Sequence, residues 1–131
     1  MIELFSANTP NGWKISIMLE EIGYEFKTTA VDIKNDEQFK PEFIKISPFS
    51  KIPVIIDYDN NKESVFESGA ILMYLAEKEG KYFPQKSPEK EKVLEWLFWQ
   101  IGGLGPMAGQ VSHFVNYAPN FPGDHTYSEN R

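Results

Sequence analysis

The first 31 residues alternate between strand-forming and helix-forming patterns in an order that restricts the fold more than any other feature of the chain. Residues 2–5 form a short apolar stretch, and residues 11–22 carry apolar side chains at helical spacing. Gly23 follows, at the place where helices end in a left-handed residue. Residues 24–31 are rich in β-forming side chains. This order predicts a β-α-β unit, and because such crossovers are right-handed, its two strands run parallel.

The following stretch predicts a second, antiparallel unit. It contains, in order, a polar loop at 32–38, one or two helical turns at 41–46, a strand at 54–57, an antiparallel return strand at 64–66 and a helix at 68–79. The fold class is therefore α/β, with a small mixed sheet and helices on both of its faces.

The last third of the chain has a different pattern. Ser87 and Pro88 are typical of an N-cap and a first helical residue. An apolar stripe follows, widened by Trp96 and Trp99, until the glycines and proline of residues 102–106, which should kink or break the helix. This helix either packs back onto the first domain or, as we favour, begins a helical domain whose remaining helices are missing. We therefore divide the chain into a domain at 1–80, a linker at 81–87 and the start of an all-helical domain at 88–131.

Composition and charge argue against several classes of function. The net charge is −6 and the basic residues are scattered, which argues against nucleic-acid binding. Apolar runs are too short to span a membrane, and no secretory signal is visible, so we expect a cytoplasmic protein without a membrane contact. The absence of cysteine excludes a disulfide framework and a protein thiol catalyst. The two histidines are well separated, and we expect no metal site.

Two segments carry candidate binding residues at the ends of predicted strands and helices. Residues 9–12 (TPNG) place Thr9 and Asn11 at the start of the first helix, although the same residues suit a plain turn. In residues 50–54 (SKIPV), Lys51 and Ile52 precede Pro53 at the start of a strand. A cis Ile52–Pro53 bond would leave the amide and carbonyl of Ile52 free to pair with an extended peptide, whereas an ordinary trans proline would not.

The third segment is residues 66–71 (FESGAI), which opens the helix at 68–79. Ser68 and the first amides of that helix can bind a carboxylate, and Glu67 can meet an amine. A plain N-cap serine is the structural alternative. In the predicted fold all three segments meet at one end of the sheet, where they form a groove for a short peptide with an amino-acid head group. Glutathione fits that description and supplies the thiol that the chain lacks.

The same segments carry a family resemblance. The stretches TPNGWKISIMLEEIG, QFKPEFIKISPFSKIPVIID, FESGAILMYLAEK and LEWLFWQIGGLGPMAGQ resemble the glutathione transferase family from the N-terminus to about residue 110. Within it they are most similar to the bacterial nu class, the glutathione-dependent disulfide-bond oxidoreductases, to which the yeast nitrogen-regulatory prion protein is related. The resemblance implies a thioredoxin-like domain, βαβ followed by ββα, and then the first helix of an all-α domain.

The resemblance also implies roles for individual residues. The ligand would be glutathione, with no metal, and its parts would be bound by different segments. Thr9 and Asn11 would face the sulfur, and Gln38 would contact the glycyl end. Ile52, ahead of cis Pro53 and with Lys51 beside it, would pair with the cysteinyl backbone. Glu67 and Ser68 would hold the γ-glutamyl head, and Arg131 would approach glutathione across a dimer.

The activity implied by the resemblance is reduction of a small-molecule disulfide by the bound thiolate of glutathione, in a homodimer. Three alternatives remain at this stage: conjugation of glutathione to an electrophile, a non-catalytic binding or regulatory module, and an inactive fragment.

Overall fold

The computed structural model describes residues 1–117 and residue 123, and the statements about structure below concern those residues. The chain divides into two compact units, Met1–Phe83 and the part that begins at Pro84. The predicted site residue Arg131 lies outside the described residues.

A four-stranded mixed sheet forms the centre of the first unit. Its strands are β1 (Ile2–Ser6), β2 (Phe26–Ala30), β3 (Val54–Asp57) and β4 (Glu63–Phe66), in the spatial order β2-β1-β3-β4. Strands β1 and β2 are parallel, whereas β3 is antiparallel to both β1 and β4. The predicted parallel β-α-β unit and the antiparallel return strand are therefore confirmed.

Three helices belong to this unit, and glycine ends the two long ones. Helix α1 (Pro10–Ile22) stops at Gly23, with φ of 74°, and α3 (Ser68–Glu79) stops at Gly80, with φ of 66°. Both glycines adopt the left-handed conformation that side chains with a Cβ disfavour. The short α2 (Pro41–Ile44) lies between β2 and β3.

The main core of the unit lies between the sheet and helices α1 and α3. Alternate β1 residues point into it, as expected when side chains alternate between the faces of a strand. It consists of Ile2, Leu4, Ile15, Leu19, Ile22, Ile55, Ile71 and Leu75, all buried. A smaller cluster, Val31, Phe43 and Val54, includes the aromatic residue of α2. These contacts fix the starts of α1 and α3, which carry the candidate site.

The second unit contains helix α4 (Glu89–Trp99) and helix α5 (Gly105–Ser112). The glycine-rich residues between them were expected to kink or break the helix, but they continue as a π-helical turn, Gln100–Leu104, and a second π-helical turn, His113–Tyr117, follows α5. The wider π-helical turn accommodates these residues and keeps the backbone hydrogen-bonded instead of interrupting it.

Two further details differ from the prediction. Residues 32–38 were expected to form a loop, but they contribute to two 3₁₀ turns, Ile33–Asn35 and Glu37–Phe39, the first capped by the carboxylate of Asp32. At the start of α4, Pro88 occupies the N-cap position predicted for Ser87. The hydroxyl of Ser87 instead donates to the Glu91 carboxylate at 2.8 Å, a side-chain bond that competes with backbone capping.

Candidate functional site

The start of α1 is held close to the end of β1. Thr9 is the N-cap, and its hydroxyl oxygen accepts a long bond of 3.5 Å from the Gly12 amide. A Cβ at Gly12 would overlap the Ser6 hydroxyl and lie 2.6 Å from the carbonyl oxygen of Ala7. Glycine therefore allows the helix to begin against the strand end, and Asn11 is exposed at that point.

The Ile52–Pro53 peptide bond precedes β3 and is cis, as the sequence analysis had considered. Within the described part of the chain, neither the amide nor the carbonyl of Ile52 forms a hydrogen bond. These two groups are therefore available to an extended ligand backbone. Pro53 itself is buried, and Lys51 is exposed.

Ser47 fixes the loop before this proline, a role that the sequence analysis missed. Its hydroxyl donates to the Lys51 carbonyl at 2.7 Å and accepts from the Lys51 amide at 3.2 Å. The residue is buried, with 1% of its surface exposed. No sequence motif marks a serine four residues before the segment that it holds.

At the start of α3, Glu67 has a left-handed backbone with φ of 71° and precedes Ser68, the first helical residue. The first intrahelical bond is donated by the Ile71 amide to the Glu67 carbonyl, at 2.9 Å. The amides of residues 68–70 therefore lack intrahelical partners, and they add partial positive charge at this position. Such an end suits a carboxylate.

Lys14 also reaches this position from α1, a contact that the sequence pattern does not predict. Its Nζ donates to the Ser68 Oγ at 2.9 Å. Partial burial lowers the pKa of Lys14, and the nearby negative charge of Glu67 works in the opposite direction. In an amphipathic helix, a lysine is normally expected to face solvent. Only the three-dimensional proximity of α1 and α3 therefore reveals the contact between Lys14 and Ser68.

Six of the nine predicted site residues line one recess of about 70 Å³. They come from three different segments: Asn11, Lys51, Ile52, Pro53, Glu67 and Ser68. The recess is much smaller than the several hundred Å³ of sites that enclose a whole ligand. It can therefore accept a head group, while the rest of a peptide would lie across the surface.

The other three predicted residues are placed differently. Thr9 caps the helix that carries Asn11, without lining the recess. Gln38 lies in the second 3₁₀ turn, and its buried Oε1 has no hydrogen-bond partner among the described residues. Arg131 is outside those residues, so its role stays a prediction.

A larger groove, of about 320 Å³, contains none of the predicted residues. It is lined by parts of β1, β2 and the first turns of α1, including Trp13 and Thr28. The lining is mostly apolar and has no charged side chain, so it lacks the groups that would orient a charged peptide.

The described residues offer neither a metal-binding cluster nor a membrane-spanning helix. No group of three or more histidine, aspartate or glutamate side chains there could hold a metal ion. No helix in that part of the chain is long and apolar enough to cross a membrane.

The strands and helices form a thioredoxin-like domain with a small recess where α1, β3 and α3 begin. The model of the glutathione S-transferase N-terminal domain matches residues 1–77, and the chain belongs to the glutathione S-transferase family.

Known relatives extend beyond this chain. It is 50% identical over 123 residues to the disulfide-bond oxidoreductase YfcG of Escherichia coli. This alignment covers 91% of the present chain and 57% of YfcG. It is 40% identical over 118 residues to URE2 of Candida maltosa, covering 85% and 36% respectively. The chain thus spans about half the length of the curated relatives it matches.

A solved structure also matches nearly all of this chain and extends beyond it. A glutathione transferase from Pseudomonas putida, with one glutathione disulfide bound per subunit, superposes with a TM-score of 0.90 at 44% identity. The superposition covers 99% of this chain and 57% of that one.

Proposed function

We propose that this chain binds glutathione in the recess and uses its thiolate to reduce disulfides. The observation that carries the proposal is the convergence of three segments on one small recess, each with a group suited to a different part of the tripeptide. The name of the E. coli relative and the ligand of the Pseudomonas structure support the same activity.

Each part of glutathione has a proposed partner. Glu67 binds the α-amino group of the γ-glutamyl head, while Ser68 and the free amides of α3 bind its carboxylate. The free amide and carbonyl of Ile52 pair with the cysteinyl backbone as in strand addition. Lys51 lies beside this pair, and the side-chain NH2 of Gln38 is the donor proposed for the glycyl end.

Asn11 and Thr9 are proposed to stabilise the sulfur as an anion. A free thiol has a pKa near 8.5, so a decrease of about two units requires roughly 2.7 kcal/mol in favour of the thiolate. A hydroxyl, an amide N–H and the positive end of α1 can together stabilise the thiolate by a free energy of that order. An amide cannot accept the thiol proton, so Asn11 acts by stabilising charge, and the proton leaves to solvent.

The proposed reaction consists of two exchanges. The glutathione thiolate attacks one sulfur of the substrate disulfide, a new S–S bond forms, and the other sulfur leaves as a thiolate that takes up a proton. A second glutathione thiolate then attacks the mixed disulfide and releases the remaining substrate thiol. Two glutathione molecules are oxidised to glutathione disulfide, and one substrate disulfide is reduced to two thiols.

The test compares Asn11→Ala with Asn60→Ala, a control in the turn between β3 and β4. We expect Asn11→Ala to raise the pKa of the bound thiol by about one unit and to lower disulfide-reductase activity about tenfold at neutral pH. The absorbance of the thiolate against pH reports the first quantity. Conjugation to an electrophile without disulfide reduction would indicate the alternative transferase activity, and glutathione binding without turnover would indicate a binding module.

We also propose a homodimeric, cytoplasmic protein in which residues 1–80 bind glutathione, 81–87 link and 88–131 begin an all-helical domain. The aromatic side chains of α4 support the dimer, because Trp96, Phe98 and Trp99 are all more than half exposed. Sedimentation of the chain and of Trp96→Ser tests this proposal, and an association that the substitution does not weaken would contradict the interface.

A further inference from the structure

Lys14 has a contact that none of the proposed roles uses. It lies three residues after Asn11, on the same face of α1, and its Nζ crosses to α3 to donate to the Ser68 Oγ at 2.9 Å. Ser68 is buried, with 7% of its surface exposed, and lines the recess. The ammonium group therefore acts on the hydroxyl that is proposed to bind the γ-glutamyl carboxylate.

The direction of this bond decides what the Ser68 hydroxyl can do. An ammonium group only donates, so the Ser68 oxygen must be the acceptor, and the single hydroxyl proton points elsewhere. Among the described residues, Ser68 donates that proton to no other group. A hydroxyl oriented in this way is a donor prepared for an anion in the recess.

Charge supports the same conclusion. Glu67 contributes a negative charge beside the site, which by itself would repel a carboxylate. Lys14 offsets it with a positive charge in a partly buried position, where screening by water and salt is weaker. The pair can therefore bind a zwitterionic head group, with the amine toward Glu67 and the carboxylate toward Ser68.

We propose that Lys14 is a positioning residue that makes the site specific for the free α-carboxylate of the γ-glutamyl head group. This inference rests on the proposed function, because it assumes that glutathione occupies the recess. Lys14 acts through Ser68: it orients the hydroxyl and adds the positive charge that the carboxylate meets.

The experiment titrates the whole chain calorimetrically with two peptides. One is reduced glutathione, and the other is γ-aminobutyryl-cysteinyl-glycine, which lacks only the α-carboxylate. The variants are Lys14→Met and Lys14→Arg, with Lys62→Met in the turn between β3 and β4 as a control that changes the net charge equally. If Lys14→Met does not fold, Lys14→Gln replaces it, and urea unfolding checks every variant.

We expect Lys14→Met to weaken glutathione binding about 10- to 100-fold and to leave binding of the peptide without the α-carboxylate within about twofold, as for loss of a hydrogen bond involving a charged group. Lys14→Arg should recover most of the lost affinity, and Lys62→Met should have no effect. In a Ser68→Ala background, Lys14→Met should weaken glutathione binding by a smaller factor than it does in the wild-type chain, because the two residues act as a unit.

Two outcomes would overturn the role of Lys14. Equal weakening of both peptides would mean that Lys14 only holds α1 against α3, and unchanged glutathione affinity in Lys14→Met would mean that it has no role in binding. Each of these leaves the proposed function standing, because the wild-type chain still binds glutathione. A folded wild-type chain that binds neither peptide would instead contradict the proposed function, and this inference with it.

Discussion

Apolar side chains at regular spacing form a fully buried core in the first unit, whereas those of the second unit are only half-buried or exposed. All eight residues of the main core lie in Met1–Phe83, where the sheet supports two helices. In contrast, none of residues 84–116 is buried, and Trp96 of α4 is 65% exposed. The two units therefore obtain their stability in different ways.

The difference is one of geometry more than of composition. A sheet buries one face of each helix that packs on it, whereas a single continuous helical segment cannot cover its own apolar stripe. Within α4, Trp96 and Trp99 make an edge-to-face contact at 5.4 Å, but such a pair removes little surface from water. The first unit therefore holds its own core, whereas the described helices of the second unit leave their aromatic residues exposed.

The largest predicted effect comes from truncating the core of the first unit. Leu75 is fully buried, so Leu75→Ala should lower the free energy of unfolding by about 3 kcal/mol. Leu104 is 47% exposed, and Leu104→Ala should cost less than about 1 kcal/mol. Urea unfolding followed by circular dichroism measures both. Equal costs would contradict the contrast between the units.

Asp57 should have the next largest effect, because its buried carboxylate accepts bonds from the Lys78 ammonium at 2.8 Å and the Tyr74 hydroxyl at 2.7 Å. Burial works to raise the pKa of Asp57, but these two bonds outweigh it and hold the pKa below its usual value. Asp57→Asn should therefore cost about 2 kcal/mol at neutral pH.

The pH dependence gives a sharper test of Asp57. A carboxyl group whose pKa is lower in the folded chain stabilises it above the unfolded pKa, near 3.9, and this contribution is lost as the pH falls through the folded value. Asp57→Asn should therefore flatten the stability curve below about pH 4. Some slope should remain, because hydrogen bonds, the largest from Thr29, also lower the pKa of Glu3. If Asp57→Asn left the pH dependence of stability below about pH 4 unchanged, Asp57 would not be the group responsible for it.

Two glycine substitutions provide a smaller comparison between the units. Gly12→Ala should cost about 1–2 kcal/mol, since the new methyl group would press on the Ala7 carbonyl, and it should also weaken glutathione binding by displacing Asn11. In the second unit, a Cβ at Gly102 meets no atom within 4 Å. Gly102→Ala should be neutral or slightly stabilising, as for glycine in a helix. The measurements are thermal unfolding and calorimetric titration.

The smallest effect is expected at Trp96. Trp96→Ser should change the unfolding free energy of the first unit by less than about 0.5 kcal/mol when measured at low protein concentration. Trp13 also has half of its surface exposed but belongs to the first unit, so Trp13→Ser is the matched comparison. A larger loss from Trp96→Ser than from Trp13→Ser in the first unit's unfolding would refute the independence of its core.

Local patterns were sufficient to predict the fold of the first unit. Helix α3 spans the predicted residues because a periodic apolar stripe ends at Gly80, where only a left-handed residue fits. The predicted second strand is longer than β2, because alternation continues past the residues that pair with β1. The π-helical turns were missed, since glycine and proline indicate a break without specifying how the backbone remains bonded.

The site was predictable where a residue type itself suggests a contact. Glu67 and Ser68 stand at a helix start, and Ile52 precedes a proline, so their positions in the recess follow from the topology. Lys14 and Ser47 could not be found this way. Their contacts depend on distances between segments, 54 residues apart for Lys14 and Ser68, that no local pattern encodes.

The measurement that tests the central claim most directly is calorimetric titration of the 131-residue chain with glutathione. The account predicts one binding site per chain, weakened at least tenfold by Glu67→Gln and by Ser68→Ala, and unchanged in the control Ser64→Ala on β4. A folded chain that does not bind glutathione, or that binds it equally well in all three variants, would contradict the account.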